Sequence, residues 1–267
     1  MAGHRTTFRF GISPALGHER TQVLAERIAE ALAPLAPGPI EVVVGGSYEH
    51  LQAMLLGGAL DVAWVNPLVL ARMHAAGASA SLRGVRHGST TFRSALVVRK
   101  GFGGFERLAG GRAAWTDPDS LAGYRLPIGY LRRAGLQPER IFVAERFTFS
   151  YPTSLRRVLE GQADVAACFV HAADDEALAG VLERLVGSDA EGLAPLAYTA
   201  PVPNDGLVFA PHLPAKETER LCERTEALLC APAGRALLEL LGMEAVIRAD
   251  DDPVGEMALR NGQRLGP

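Results

Sequence analysis

Residues 47–65 read SYEHLQAMLLGGALDVAWV, and residues 150–168 read SYPTSLRRVLEGQADVAAC. Aligned without gaps at an offset of 103, they share Ser47/Ser150, Tyr48/Tyr151, Gly58/Gly161, Asp61/Asp164, Val62/Val165 and Ala63/Ala166. A repeat of this kind predicts two similar lobes in one chain. Two lobes make a cleft, and a cleft is a usual place to hold a small molecule.

The elements around the repeat support the duplication. In the first half, Phe8–Ser13 reads as a strand. His18–Leu32 has helical spacing at Val23, Leu24, Ile28, Ala31 and Leu32. PLAPGP (34–39) breaks that helix, and Ile40–Val44 is a β-branched strand. A helix follows over Tyr48–Leu56, stopped by Gly57-Gly58, then a strand over Asp61–Val65, with Pro67 at the next helix start. The second half repeats the plan. A strand spans Arg112–Thr116, a helix Ser120–Ala134 with Gly135 as its stop, a strand Arg140–Ala144, a helix Tyr151–Glu160 and a strand Asp164–Val170. Adding 103 to positions 10, 42 and 62 lands in or beside the corresponding strands.

The fold expected is α/β and two-lobed, each lobe a mostly parallel sheet flanked by helices, with the ligand cleft between the lobes. Ser94–Lys100 reads as a connecting strand, and a second connection comes near Ala200–Phe209, after the loop GSDAEGLAP (187–195). The first lobe is then 1–98 with 202–267, and the second is 99–201. Helices over Ala215–Leu229 and Gly234–Leu241 should pack back on the first lobe.

Composition narrows the function. The chain has 267 residues, 48% hydrophobic and 21% charged, a globular balance. A net charge of −3 without charge blocks leaves no footprint for nucleic acid. Arg outnumbers Lys 25 to 2, which reads as base composition of the genome. Cys168, Cys222 and Cys230 lack metal-ligand spacing, and three cysteines do not make a disulfide framework. No apolar run reaches the ~18 residues of a membrane span. The first residues, MAGHRTTFRFGIS, lack the apolar region of a secretory signal. The expectation is a cytoplasmic protein, or a periplasmic or extracytoplasmic one if a leader was removed.

Three loop-to-helix junctions are candidates for holding an anion: Gly45-Gly46-Ser47-Tyr48, Asp117 through Gly123 around Ser120, and Phe149-Ser150-Tyr151-Pro152. Helix N-termini carry unpaired N–H groups and about half a positive charge, and a serine adds a hydroxyl. Ser47, Ser120 and Ser150 either bind an anion or cap their own helices. Tyr48 and Tyr151 occupy equivalent positions. They either close on a ligand or pack on their own helices. Asp61 and Asp164 read as turn residues entering strands.

The pattern Tyr48-x-x-Leu51…Gly58-x-x-Asp61-Val62-Ala63-Trp64, then Asp117-x-x-Ser120-x-x-Gly123-Tyr124-x-x-Pro127, then Gly161-x-x-Asp164-Val165-Ala166 and Pro203-Asn204-Asp205, resembles the phosphonate- and phosphite-binding proteins of ABC transporters. These are type II periplasmic binding proteins, and the resemblance runs from about Phe8 to about Leu240. It implies that Tyr48 and Ser120 contact an anion. It also implies that Asp205 lies at the cleft, accepting a proton from a phosphoryl oxygen or pairing with an amine. Phe92 falls where the family often has a tyrosine. The chain departs from the family at Leu121, where a threonine hydroxyl is usual, at Tyr151, where a histidine is usual, and at His171, in place of an acidic residue. His171 would restore positive character if it titrates near the ordinary ~6.5 of a histidine.

The reading is a solute-binding protein that closes around a small oxyanion of the phosphate or phosphonate kind. It serves either as an ABC-transporter-type receptor with a permease as partner, or as a cytoplasmic sensor coupled to a signalling protein. No cofactor, metal or nucleic-acid partner is expected. The alternatives are an enzyme on the same fold, acting on a thiamine-pyrimidine or menaquinone precursor, and a ligand-gated regulatory module. The sequence holds no Ser-His-Asp signature, metal-ligand cluster or GxxxxGK[ST] loop to favour the enzyme.

Overall fold

The helix His18–Leu32 buries Ala25, Ile28 and Leu32 on one face, and two parallel strands flank it in the sequence. The computed structural model describes residues 7–15, 18–33 and 39–249. The expected break at 34–39 lies, but for Pro39, outside the described residues, as do the chain ends assigned to the first lobe. In chain order the elements are β1 (Phe8–Ile12), α1 (His18–Leu32), β2 (Ile40–Val44), α2 (Tyr48–Leu56), β3 (Val62–Val65), α3 (Pro67–Ala75), β4 (Ser81–Val85) and β5 (Thr91–Arg99). Then come β6 (Gly111–Trp115), α4 (Leu126–Arg133), α5 (Pro138–Ile141), β7 (Phe142–Phe147), α6 (Tyr151–Leu159), β8 (Val165–Val170), α7 (Asp175–Val186) and β9 (Leu193–Tyr198). The chain continues with β10 (Val202–Pro203), β11 (Gly206–Phe209), α8 (Ala215–Cys230), α9 (Arg235–Leu240) and β12 (Ala245–Arg248).

The chain divides into two compact units. Of the described residues, those up to Pro14, from Glu19 to Thr91 and from Pro203 to Ala249 form one; Ala15, His18 and Phe92–Val202 belong to the other. The sequence boundary at residue 98 would leave β5 with the first lobe. Its ladders to β8 and β9 instead carry it with the second unit.

The first sheet has the order β12-β4-β11-β3-β1-β2, and the second the order β10-β5-β8-β6-β7 with β9 beside β5. Each holds one parallel block of three strands, β2-β1-β3 and β7-β6-β8. The sheets are mixed rather than mostly parallel. β11 lies antiparallel to β3, and β5 lies antiparallel to β8. These are the strands on which the chain returns to the first unit and leaves for the second, so each runs against the block it joins. Both faces of each sheet are covered. Val62 and Val65 on β3 point into different apolar clusters, as do Val165 and Ala166 on β8.

The repeat is physical down to single bonds. β1 pairs Phe10 with Val62 and Gly11 with Ala63, and β6 pairs Ala113 with Val165 and Ala114 with Ala166, each position 103 residues on. The Arg9 amide donates to the Asp61 carboxylate at 2.8 Å, and the Arg112 amide to the Asp164 carboxylate at 2.8 Å. Gly58 and Gly161 precede these aspartates with φ of 68° and 69°, the left-handed region that favours glycine.

Most expected elements fall within a residue or two of their places, and three regions differ. The helix expected over Ser120–Ala134 is a π turn, Leu121–Arg125, followed by α4. The strand expected over Arg140–Ala144 begins later, at Phe142, because Pro138 starts the short helix α5. The loop expected over 187–195 ends in β9. Elements β4, α7 and β12 carry no sequence expectation. The tail does pack on the first unit, where α8 lies on β12 and β4, and Arg248 on β12 pairs with Glu219 and Glu226 of α8.

Asn204 locks the returning chain to the departing one. Its amide nitrogen donates to the carbonyls of Gly84 (3.0 Å) and Ser89 (2.8 Å), its backbone amide donates to Thr90, and its own carbonyl accepts from Arg83. The side chain is fully buried, and its Oδ1 has no partner among the described residues. Replacing Asn204 with Ala takes one donor from each of the Gly84 and Ser89 carbonyls, the second of which keeps the Arg86 amide, and should cost about 1–3 kcal/mol. Urea denaturation should show this as a lower midpoint with an unchanged slope.

Candidate anion-binding site

In the second unit the site begins where β6 ends. Asp117 Oδ1 accepts from the Asp119 amide at 2.7 Å, and the Ser120 amide donates to the Asp117 carbonyl, which turns the chain sharply. Ser120 Oγ accepts from the Gly123 amide at 3.0 Å and heads the π turn. Gly123 is required there, because a Cβ would run into the Thr116 side chain. Ser94 Oγ donates to the Ala122 carbonyl at 2.6 Å and pins the turn to β5.

Ser120 Oγ lies 3.2 Å from the Tyr151 hydroxyl. Either hydroxyl can donate to the other. The Tyr151 ring stands edge-on to Phe169 with centroids 5.4 Å apart, and packs in one cluster with Phe92 and the partly buried Leu121. Thr116 Oγ1, beneath the turn, is buried without a partner among the described residues. His171 is half-buried in the bend after β8. Because β5 pairs Arg93 with Val170, the register sets His171 opposite Phe92. Ser120, Leu121, Tyr151 and Phe92 are thus assembled in one place, with Ser150 next to Tyr151.

The N-terminus of α6 is less open than its sequence suggests. The Tyr151 amide donates to the Ala15 carbonyl at 2.9 Å, Pro152 has no amide hydrogen, and the Thr153 and Ser154 amides go to Ser150 Oγ and its carbonyl. Ser150 is the cap of its own helix, and what α6 presents to an anion is its dipole and the Tyr151 hydroxyl. Before it, Phe149 is 41% exposed with φ of 57°, a backbone region that costs a non-glycine residue about 1–2 kcal/mol.

In the first unit, Ser47 Oγ accepts from the His50 amide at 3.0 Å and caps α2, while the Gly46 amide donates to His50 Nδ1 at 3.1 Å. Tyr48 is 8% exposed and packs with Leu51, Leu55 and Met73. Asn66 Oδ1 caps α3 by accepting from the Val69 amide. The Asp205 carboxylate is paired with Arg86 at 3.4 Å. Arg86 also donates to the carbonyls of Gly242 and Leu241 and lies over the Trp64 ring. The sequence assigns neither Thr116 nor Arg86 to the site. Thr116 reads there only as the end of a strand, no motif singles out Arg86, and their places follow from tertiary packing.

Burial raises the Asp205 pKa above its ordinary 3.8, against the pull of Arg86 and Arg83. A raised carboxylate pKa means that the folded state holds its proton more tightly, so this group lowers stability as pH rises above 3.8. The stability of Asp205→Asn relative to the parent should therefore climb as pH rises from 3.8. It should level off once the parent carboxylate is ionised. Thermal melts across that range measure the difference, and a flat difference would contradict it.

The structure is similar to PhnD1 from Prochlorococcus marinus in complex with methylphosphonate, with a TM-score of 0.79 at 14% identity, over 98% of this chain and 97% of that one. A binding protein component of an ABC phosphonate transporter from Pseudomonas aeruginosa gives a TM-score of 0.80 at 17% identity, over 98% and 88%. XAC2383 from Xanthomonas citri bound to ATP gives 0.71 at 18%, over 98% and 98%. At such identities the likeness shows the fold, that of type II periplasmic binding proteins. No curated protein matches the sequence. No helix among the described residues is long and apolar enough to cross a membrane. A family model described as the phosphonate periplasmic substrate-binding protein of ABC transporters matches residues 10–253, and the chain belongs to that family, one of binding proteins and not of enzymes.

Proposed function

We propose that this protein is a receptor for a small phosphorus oxyanion of the phosphonate kind, which it delivers to an ABC-transporter permease. The observation that carries the reading is the pair of hydroxyls, Ser120 Oγ and Tyr151 OH, 3.2 Å apart at the head of the π turn. These are neutral donors of fixed direction, which is what an oxyanion needs once its water is removed. The methylphosphonate bound to PhnD1 is the model for the ligand. His171 joins the proposed ligand set, with Phe92 and Leu121 as its apolar floor, and Tyr48 and Asp205 are the proposed ligand residues of the first unit.

A cytoplasmic sensor of such an anion is the second reading. It is favoured by the three cysteines, none of them in a disulfide, of which Cys230 is exposed. Free exposed thiols suit a reducing compartment. The expected partner differs accordingly: a permease for the receptor, a signalling protein for the sensor.

Tyr151→Phe removes one hydroxyl and leaves the Ser150 cap intact. It should weaken methylphosphonate or phosphite by about 0.5–1.5 kcal/mol, measured by titration calorimetry. Ser120→Ala should weaken them by about 1–2 kcal/mol and also lower the melting temperature, because Ser120 caps the turn. Unchanged affinity in both variants would remove this hydroxyl pair from the site.

A further inference from the structure

Phe149 is an aromatic residue in a backbone conformation that suits glycine. Its φ of 57° is enforced from both sides. Its amide donates to the Thr116 carbonyl at 2.6 Å. The Thr148 hydroxyl donates to the Ser150 carbonyl at 2.9 Å and lies 2.7 Å from Ser154 Oγ. The fold does not require this arrangement. At the equivalent place in the first unit, 103 residues earlier, stands Gly46, whose φ lies outside the left-handed region. The second unit thus puts a bulky ring where the first manages with a glycine and an ordinary backbone.

The ring is also placed against ordinary burial. Ser150 and Tyr151, the next two residues, are 8% and 6% exposed, yet Phe149 is 41% exposed. Its backbone is one hydrogen bond from Thr116, four residues before Ser120, and two residues from Tyr151. Strained residues that persist because their surroundings hold them are typical of ligand clamps.

We infer that Phe149 sets ligand specificity, offering its ring to an organic substituent on an anion held by Ser120 and Tyr151. The inference rests on the reading of the protein as a receptor for phosphorus oxyanions and narrows it to organophosphonates carrying an apolar or aromatic group. An anion with no substituent gains nothing from the ring, while an aromatic substituent gains apolar burial and ring–ring contact.

The test is calorimetric titration of the full chain with phosphite, methylphosphonate and phenylphosphonate. The parent should bind phenylphosphonate at least about tenfold more tightly than phosphite. That ratio should fall toward one in Phe149→Ala and persist in Phe149→Tyr, which keeps the ring. Should the alanine variant not fold, Phe149→Leu, apolar but not aromatic, takes its place. A ratio near one in the parent, or an unchanged ratio without the ring, overturns the inference while leaving the receptor reading intact. If none of the three anions binds, the receptor reading itself fails and the inference falls with it.

Discussion

The clasp between an aspartate and the middle strand of each parallel block decides where everything else lies. Asp61 meets Arg9 and Asp164 meets Arg112 in the same two-way fashion. The arginine amide donates to the carboxylate, and the aspartate amide donates to the arginine carbonyl at 3.0 Å and 2.7 Å. A strand slipped by one residue would turn every side chain to the wrong face. The clasp forbids that slip at the start of the block, so the carboxyl ends of β1, β3, β6 and β8 are fixed relative to one another within each sheet. The loops that carry Ser120 and Tyr151 inherit their positions from it.

The two units use one frame for different ends. Both cap the helix after the second strand with a serine, accepting from the amide three residues on, His50 in one case and Thr153 in the other. They part at the first connection. In one unit β1 leads to the 15-residue helix α1, and in the other β6 leads to the tight turn through Ser120. They part again before the cap, where Gly45-Gly46 stands against Thr148-Phe149. The frame is repeated in the strand ladders, the aspartate clasps and the serine caps of both units. The divergence falls on side chains with hydroxyls and rings, which is where a binding protein acquires a particular ligand.

What was legible in the sequence follows the same division. α1, β2 and α2 have the bounds that spacing and capping residues predict, because an amphipathic stripe or a β-branched run is a local signal. β4 was not legible. Its sequence SLRGV contains a glycine and an arginine, poor strand residues. Gly84 stands there because a Cβ would strike Met243 and Trp64, and Arg83 is buried beside the Asn204 carbonyl. α7 was legible and went unread, since Leu178, Val181, Leu182 and Leu185 are spaced as one buried face. The caps Ser47, Ser120 and Ser150 could be named from sequence, yet only the structure distinguishes them. Ser47 and Ser150 cap their own helices, while Ser120 also meets Tyr151. Asp205 was recognisable as a family position, but its pairing with Arg86 depends on a residue 119 positions away.

A site made of neutral donors depends more on rigidity than one built on a lysine or arginine. A charged side chain attracts an anion from any angle, whereas a hydroxyl or an amide does so only along its own bond. The surroundings of Ser120 and Tyr151 meet that need. Gly123 lets the turn close on Thr116, Ser94 holds the turn by its Ala122 carbonyl, and Phe169 stands edge-on to the Tyr151 ring. Leu121 then has a definite consequence. A threonine there would add a third hydroxyl at the head of the turn; leucine removes that donor and puts apolar surface in its place, packed on the cluster that holds Tyr151 and Phe92. The loss of a donor weakens the hold on a bare oxyanion, and the gain of apolar surface favours one that carries carbon. In the proposed site Leu121 and Phe149 bias the choice of ligand in the same direction, from two loops that the β6–β7 pairing brings together.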